Sequence, residues 1–157
     1  MHDAHLKLLR CPICKLELRI TERIEWDDEL QEGRLTCLKG HSWPVSGGMP
    51  SLLHPQLGGS GKGDCAQHES SVQEYIKVFG AYDDLLGVDL MRERERIAAY
   101  MPIEAPRRIL DVATGSGANF AALSNAVNGS MGRFNLHGVD TSMQMLSIAK
   151  KRTSEAG

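Results

Sequence analysis

The spacing of apolar and polar positions changes along the chain and divides it into segments. Leu6, Leu8 and Leu9 form a short apolar anchor near the start. The runs LELRITERIEW and GRLTCL then mix β-branched and apolar residues with charged ones, as half-buried strands do. The acidic stretch Asp27-Asp28-Glu29, continued through Gly33, joins them and predicts a β-hairpin. From Leu57 to Asp64 the chain is rich in glycine and serine, which predicts a flexible linker over 57–69 between a small domain at 1–56 and a second at 70–157.

Within the second part, Ser70 to Phe79 predicts a short helix and Asp89 to Met101 a longer one. In the longer helix Asp89 stands as cap, Leu90, Ile97 and Met101 fall near one face, and Pro102 ends it. Its charge run, Arg92 to Arg96, reads as a solvated surface. Arg108 to Ala113 is a compact apolar run suited to a buried parallel strand. It leads into the glycine turn Thr114-Gly115-Ser116-Gly117 and a helix from Ala118 to Val127. After turn signals at Asn128-Gly129 and Gly132, Phe134 to Val139 predicts a second strand ending in Asp140. Thr141 or Ser142 then caps a helix with Met145, Ile148 and Ala149 on one face.

Composition narrows the class. The 157 residues carry 18 Lys+Arg and 20 Asp+Glu, a formal net charge of −2, with 41% hydrophobic and 24% charged residues. That balance excludes a disordered tail, a fibrous repeat and a strongly basic nucleic-acid arm. No run approaches the length of a membrane helix, and the start MHDAHLKLLR lacks the basic head and apolar core of a secretion signal, so a cytoplasmic chain without a membrane partner is expected.

Three of the four cysteines form a metal-binding frame, Cys11-Pro-Ile-Cys14 followed by Cys37-Leu-Lys-Gly-His41. A C-x2-C turn presents two thiolates to one ion, and a C-x3-H pair completes a tetrahedron, so the spacing predicts a zinc site on Cys11, Cys14, Cys37 and His41. Cys65 and His68 form a weaker competing pair behind the glycine stretch. His2, His5 and His54 have no partner pattern and are expected to face solvent. The segment around Gly61-Lys62 fails as a phosphate-binding loop, because Gln56 stands where its first glycine belongs and Gly63 where Ser or Thr must bind magnesium. The loop at Gly115 and Gly117 also departs from the dinucleotide pattern. Phe120 takes the place of the third glycine, where a ring would hold the helix off the strand, and an acid, Asp111, precedes the glycines.

The run ILDVATGSGANF resembles motif I of the class I S-adenosylmethionine-dependent methyltransferases, and LHGVDTSMQMLSIAKKR is similar to their second-strand motif. The alanine at 113 resembles the branch of ubiquinone/menaquinone C-methyltransferases. The stretch from Pro44 to Leu53 resembles the end of zinc ribbons that precede some methyltransferases, and residues 6–54 are similar to the free-standing zinc-ribbon activator of tRNA and protein methyltransferases. The resemblances imply an α/β chain, a small β zinc ribbon followed by the first part of a Rossmann-like class I methyltransferase domain. They imply S-adenosylmethionine and zinc as cofactors, with Asp111, Ala113, Gly115, Gly117, Asp140 and Thr141 as the cofactor-binding set. Asp111 would meet the cofactor's amino group and Asp140 both ribose hydroxyls, while the two glycines leave room for the methionine part.

The family sheet has seven strands and only its first two are expected within residues 70–157, so half a cofactor pocket, no substrate site and negligible methyl transfer by the chain alone are expected. The order resembles both zinc-bearing rRNA guanine-N1 methyltransferases and the broad type 11 group acting on small molecules, and the net acidity favours the latter. The rival readings are a non-catalytic zinc ribbon that docks a protein partner and a zinc-dependent nucleic-acid binder. For the latter, Lys7, Arg10, Lys15 and Arg19 supply a thin basic face offset by Glu17, Glu22 and Glu25.

Overall fold

A computed structural model of the chain describes residues 1–55, 90–101, 107–126 and 134–155. The chain divides into two compact units, Met1–Gly61 and Lys62–Gly157. The expected linker, the helix at 70–79, the Cys65/His68 pair, the cap at Asp89, Pro102 and the turn signals at 128–132 lie outside the described residues.

In the first unit a short helix α1 (Asp3–Leu6) precedes strands β1 (Leu18–Trp26), β2 (Glu29–Cys37), β3 (Ser42–Ser46) and β4 (Met49–Pro50). They form one antiparallel sheet in chain order. Alternation along β3 buries Trp43 and Val45 between exposed Ser42, Pro44 and Ser46, and Leu30, Leu35 and Cys37 are buried along β2. Ile20, Leu35 and Trp43 lie directly opposite one another across three strands. Leu6, Leu9, Leu16 and Leu52 pack against this cluster, so two residues of the apolar anchor seen in the sequence cover a very small core, while its third, Leu8, is exposed. The Met1 amino group donates to the Leu30 carbonyl at 2.9 Å, and Leu30 N–H returns a bond to the Met1 carbonyl at 3.0 Å.

Both tight hairpins turn on two residues with left-handed backbone, Asp27 (φ 53°) with Asp28 (φ 59°) and Gly47 (φ 55°) with Gly48 (φ 77°). Paired positive φ values match the right-handed twist of the flanking strands. The expected loop from Asp27 through Gly33 is therefore shorter than the sequence suggests, because β2 begins at Glu29 and Gly33 lies inside it. Gly33 serves a close approach. The β1–β2 register skips at Thr21, and a Cβ at position 33 would overlap the Glu22 carbonyl oxygen and lie 3.1 Å from Leu30 Cδ1. The histidine expectation also changes: His2 is exposed but pairs with Glu29 at 3.1 Å, while His5 and His54 are half-buried.

The described part of the second unit contains α2 (Leu90–Ala99), β5 (Arg107–Val112), α3 (Ala118–Ala126), β6 (Phe134–Val139) and α4 (Met143–Glu155). β5 and β6 pair in parallel with Ile109 beside Leu136, Asp111 beside Gly138 and Val112 beside Val139. Parallel neighbours need a crossover, and α3 supplies it. Helix α2 packs against α3, but its buried position is Ala98, whereas Ile97 is 67% exposed. Of the expected face, Leu90 is half-buried but Ile97 and Met101 are exposed; Met91, Arg94 and Glu95 are half-buried, and the Arg96–Glu93 pair lies on the surface at 2.9 Å.

On β6, Gly138 makes the room that the sequence denied to Phe120. A Cβ at 138 would stand 3.0 Å from Phe120 Cζ and 2.9 Å from Thr114 Cγ2, so the ring packs against bare backbone. The other face of the strand pair differs from the buried strand expected, with Leu110, Val112 and Val139 exposed at 60%, 70% and 47%. Substituting Gly33→Ala in the metal-loaded protein should lower the unfolding free energy by about 1–3 kcal/mol, read from the urea midpoint at constant slope. An unchanged midpoint would contradict the close approach to Glu22.

Candidate functional site

Two turns built alike carry the sulfur ligands. Cys11 N–H donates to Leu16 O at 2.9 Å and Lys15 N–H to Cys11 O at 2.8 Å; in the second turn Cys37 N–H donates to His41 O at 3.0 Å and Gly40 N–H to Cys37 O at 2.9 Å. Each turn reverses through a left-handed residue, Lys15 at φ 61° and Gly40 at φ 79°. Glycine meets that demand freely in the second turn; the first imposes it on a lysine, whose Nζ caps the Pro12 carbonyl at 2.8 Å.

These turns bring together all four ligands expected from the spacing. His41 Nδ1 lies 3.4 Å from Cys11 Sγ and 3.4 Å from Cys37 Sγ, and Cys14 Sγ lies 3.6 Å from Cys37 Sγ. All four donor atoms fall within 4.8 Å of one another. A tetrahedron with metal–sulfur bonds of about 2.3 Å and a metal–nitrogen bond of about 2.0 Å has edges of about 3.5–3.8 Å. The donor set and its spacing therefore fit a tetrahedral metal ion. Burial pushes the Cys11 thiol up, but the N–H groups of Cys14 and Ile13, with the Cys14 and His41 side chains, outweigh it and bring the group down to about 6. Burial and the neighbouring Cys11 and Cys37 sulfurs push Cys14 up, against the Leu16 N–H.

The second cluster lies at the carboxyl ends of β5 and β6. After Val112 the chain turns through Ala113 (φ 60°), Gly115 (φ 53°) and Gly117 (φ 75°) into α3. Ala113 therefore holds a left-handed conformation that glycine adopts without strain. Gly117 is needed twice over, since a Cβ there would also stand 3.0 Å from Ala149 Cβ of α4. Thr114 N–H donates to Val139 O at 3.1 Å, which fastens the loop to the end of β6. Asp140 completes the fastening: its Oδ2 accepts Gly115 N–H at 2.8 Å and its Oδ1 accepts Ser142 N–H at 2.8 Å.

Asp111, Gly115 and Asp140 thus belong to one bonded assembly, with Gly117 and Ala113 in the same bend. Thr141 is exposed, and the helix cap is Ser142, whose Oγ accepts Met145 N–H at 3.3 Å. Sequence reasoning passed over Thr114 and Asn119. Buried Thr114 donates its hydroxyl to Asp111 Oδ2 at 2.8 Å, and Asn119 Nδ2 donates to Asp111 Oδ1 at 3.1 Å. Their spacing from Asp111, three and eight residues on, was the available signal, but it becomes one only when the bend folds the chain back. Arg152 of α4 adds a bond to Ser116 Oγ at 3.2 Å.

Strand, glycine bend, helix and a second parallel strand ending in an acid that closes the bend define an α/β unit of parallel strands joined by a helical crossover. The profile of the ubiE/COQ5 methyltransferase family matches residues 68–157, and the chain belongs to that family. Among solved structures, it is similar to a chain from the complex between the Haloferax volcanii Trm112 methyltransferase activator and a candidate methyltransferase. That likeness has 33% identity and a TM-score of 0.33, covering 36% of this chain and 97% of that one. No curated protein matches the chain.

Cobalt(II) added to the metal-free protein should bind one equivalent, with the thiolate charge-transfer and tetrahedral ligand-field bands of a Cys3His site, and Cys37→Ser should lower the affinity by at least about tenfold. Wild-type spectra showing octahedral, oxygen-only coordination would contradict the assembled tetrahedron.

Proposed function

We propose that the chain is of S-adenosylmethionine-dependent methyltransferase lineage, that its second unit carries the cofactor-binding bend and that its first unit is organised by zinc. The observation that carries the cofactor reading is the paired bonding of Asp140. Each of its oxygens accepts one backbone N–H at 2.8 Å. A carboxylate has about four lone-pair sites, so one remains on each oxygen. Two acceptors fixed side by side suit the adjacent hydroxyls of a ribose, in charge-assisted bonds worth about 1.5–3 kcal/mol each. Gly115 and Gly117 keep side chains off the bend, and Asp111 offers a half-buried carboxylate for the cofactor's ammonium.

The bound cofactor supplies a methyl group already activated by its sulfonium. The residues of this chain hold and orient it, and reaction then depends on aligning methyl and acceptor. A small-molecule acceptor is favoured over RNA by the excess of acidic over basic residues, 20 against 18. Zinc suits the Cys3His set of the first unit, where its binding energy, about 10–16 kcal/mol in comparable peptides, supplements a core of only a few side chains.

Isothermal titration with S-adenosylhomocysteine should show micromolar binding to the wild type. Asp140→Asn, with its thermal midpoint checked, should weaken it by at least about tenfold through loss of charge-assisted bonds. Silence from the wild type, or equal affinity in the variant, would refute the assignment.

A further inference from the structure

We infer that Asn119 is a positioning residue that sets the cofactor's amino-acid end by orienting Asp111, an inference that rests on the cofactor reading above. Asn119 stands in the first turn of α3 (Ala118–Ala126), directly after the glycine bend. Its amide nitrogen reaches both oxygens of Asp111, Oδ1 at 3.1 Å and Oδ2 at 3.4 Å. The Thr114 hydroxyl takes Oδ2 at 2.8 Å, so the carboxylate is held by donors from the bend on one side and from α3 on the other.

The two donors differ in what they can do. Thr114 is buried, and its own N–H fastens the bend to β6, so its loss would disturb the frame. Asn119 is exposed, and among the described residues its side-chain amide hydrogen-bonds to Asp111. It leaves the bonds of Asp140 to Gly115 and Ser142 alone. Asp140 and Asp111 therefore address opposite ends of one ligand, with the nucleoside end independent of Asn119 and the amino-acid end dependent on it. A free carboxylate rotates about its terminal bond, and one fixed by two donors presents its remaining lone pairs in one direction. An ammonium met by a fixed acceptor loses less freedom on binding.

The test compares two ligands on the full chain, S-adenosylhomocysteine and 5′-methylthioadenosine, which keeps the nucleoside and lacks the amino-acid end. In Asn119→Leu the ratio of their affinities should fall by about three- to tenfold, the effect of one hydrogen bond. In an Asp111→Asn background the same change should leave the ratio within twofold, because the two residues act as one unit. A merely structural role would weaken both ligands alike. An unchanged ratio in Asn119→Leu, a parallel loss for both ligands, or an undiminished fall in the Asp111→Asn background would overturn the positioning role while leaving the cofactor reading standing. Failure of the wild type to bind either ligand would remove the cofactor reading and this inference with it.

Discussion

The second unit turns on one constraint: a carboxylate at the end of one strand must meet an N–H in the bend that follows its parallel neighbour. Asp140 does so through Gly115 at 2.8 Å, and spends its other oxygen on Ser142 at the start of α4. Three elements are fixed by that one side chain, β6, the glycine bend and the helix that follows. The backbone conditions for it are visible in the bend, where Ala113, Gly115 and Gly117 all take positive φ. Asp111 and Gly138 lie side by side in the sheet, and the missing side chain at 138 lets Thr114 and Phe120 settle against β6. The bend is thereby brought over the strand ends, where ligands of open α/β sheets bind.

The first unit solves a different problem. Its core is Leu30, Leu35, Trp43, Val45 and a few neighbours, and two of its buried residues, Cys11 and Cys37, belong to the Cys3His group. Core and Cys3His cluster are thus one structure. Cys37 ends β2 and shares one buried cluster with Cys11, against which Leu6 and Leu9 pack, so the Cys3His geometry and the packing of the strands depend on each other. Surface pairs such as Arg23–Asp3 at 3.0 Å contribute little beside this.

Much of this was legible in the amino-acid order. Spacing alone marked Cys11, Cys14 and Cys37 and left His41 with Cys65 and His68 as a rival pair; the fold brings His41 into the group with the three cysteines. The strand, bend, helix and strand from Arg107 to Val139 were legible because apolar runs and glycines fall where the topology needs them. What escaped were the features set by long-range contact. Gly33 looks like a turn signal, yet it answers to the Glu22 carbonyl across the sheet. Phe120 looks too large for its place until Gly138 is opposite it. The packed side of α2 follows from its neighbour α3 and falls on Ala98, a residue too small to mark a face in the sequence. Asn119 and Thr114 carry no motif of their own, and their roles exist only through the carboxylate they share.

The central claim is that the bend closed by Asp140 is the cofactor's seat. Amide resonances of isotopically labelled protein titrated with S-adenosylhomocysteine test it most directly. The account predicts that Gly115, Gly117 and Ser142 shift together along one saturable curve while the sheet of the first unit stays still. Saturating ligand that leaves Gly115 and Ser142 unmoved, or that shifts only residues of the first unit, would contradict it.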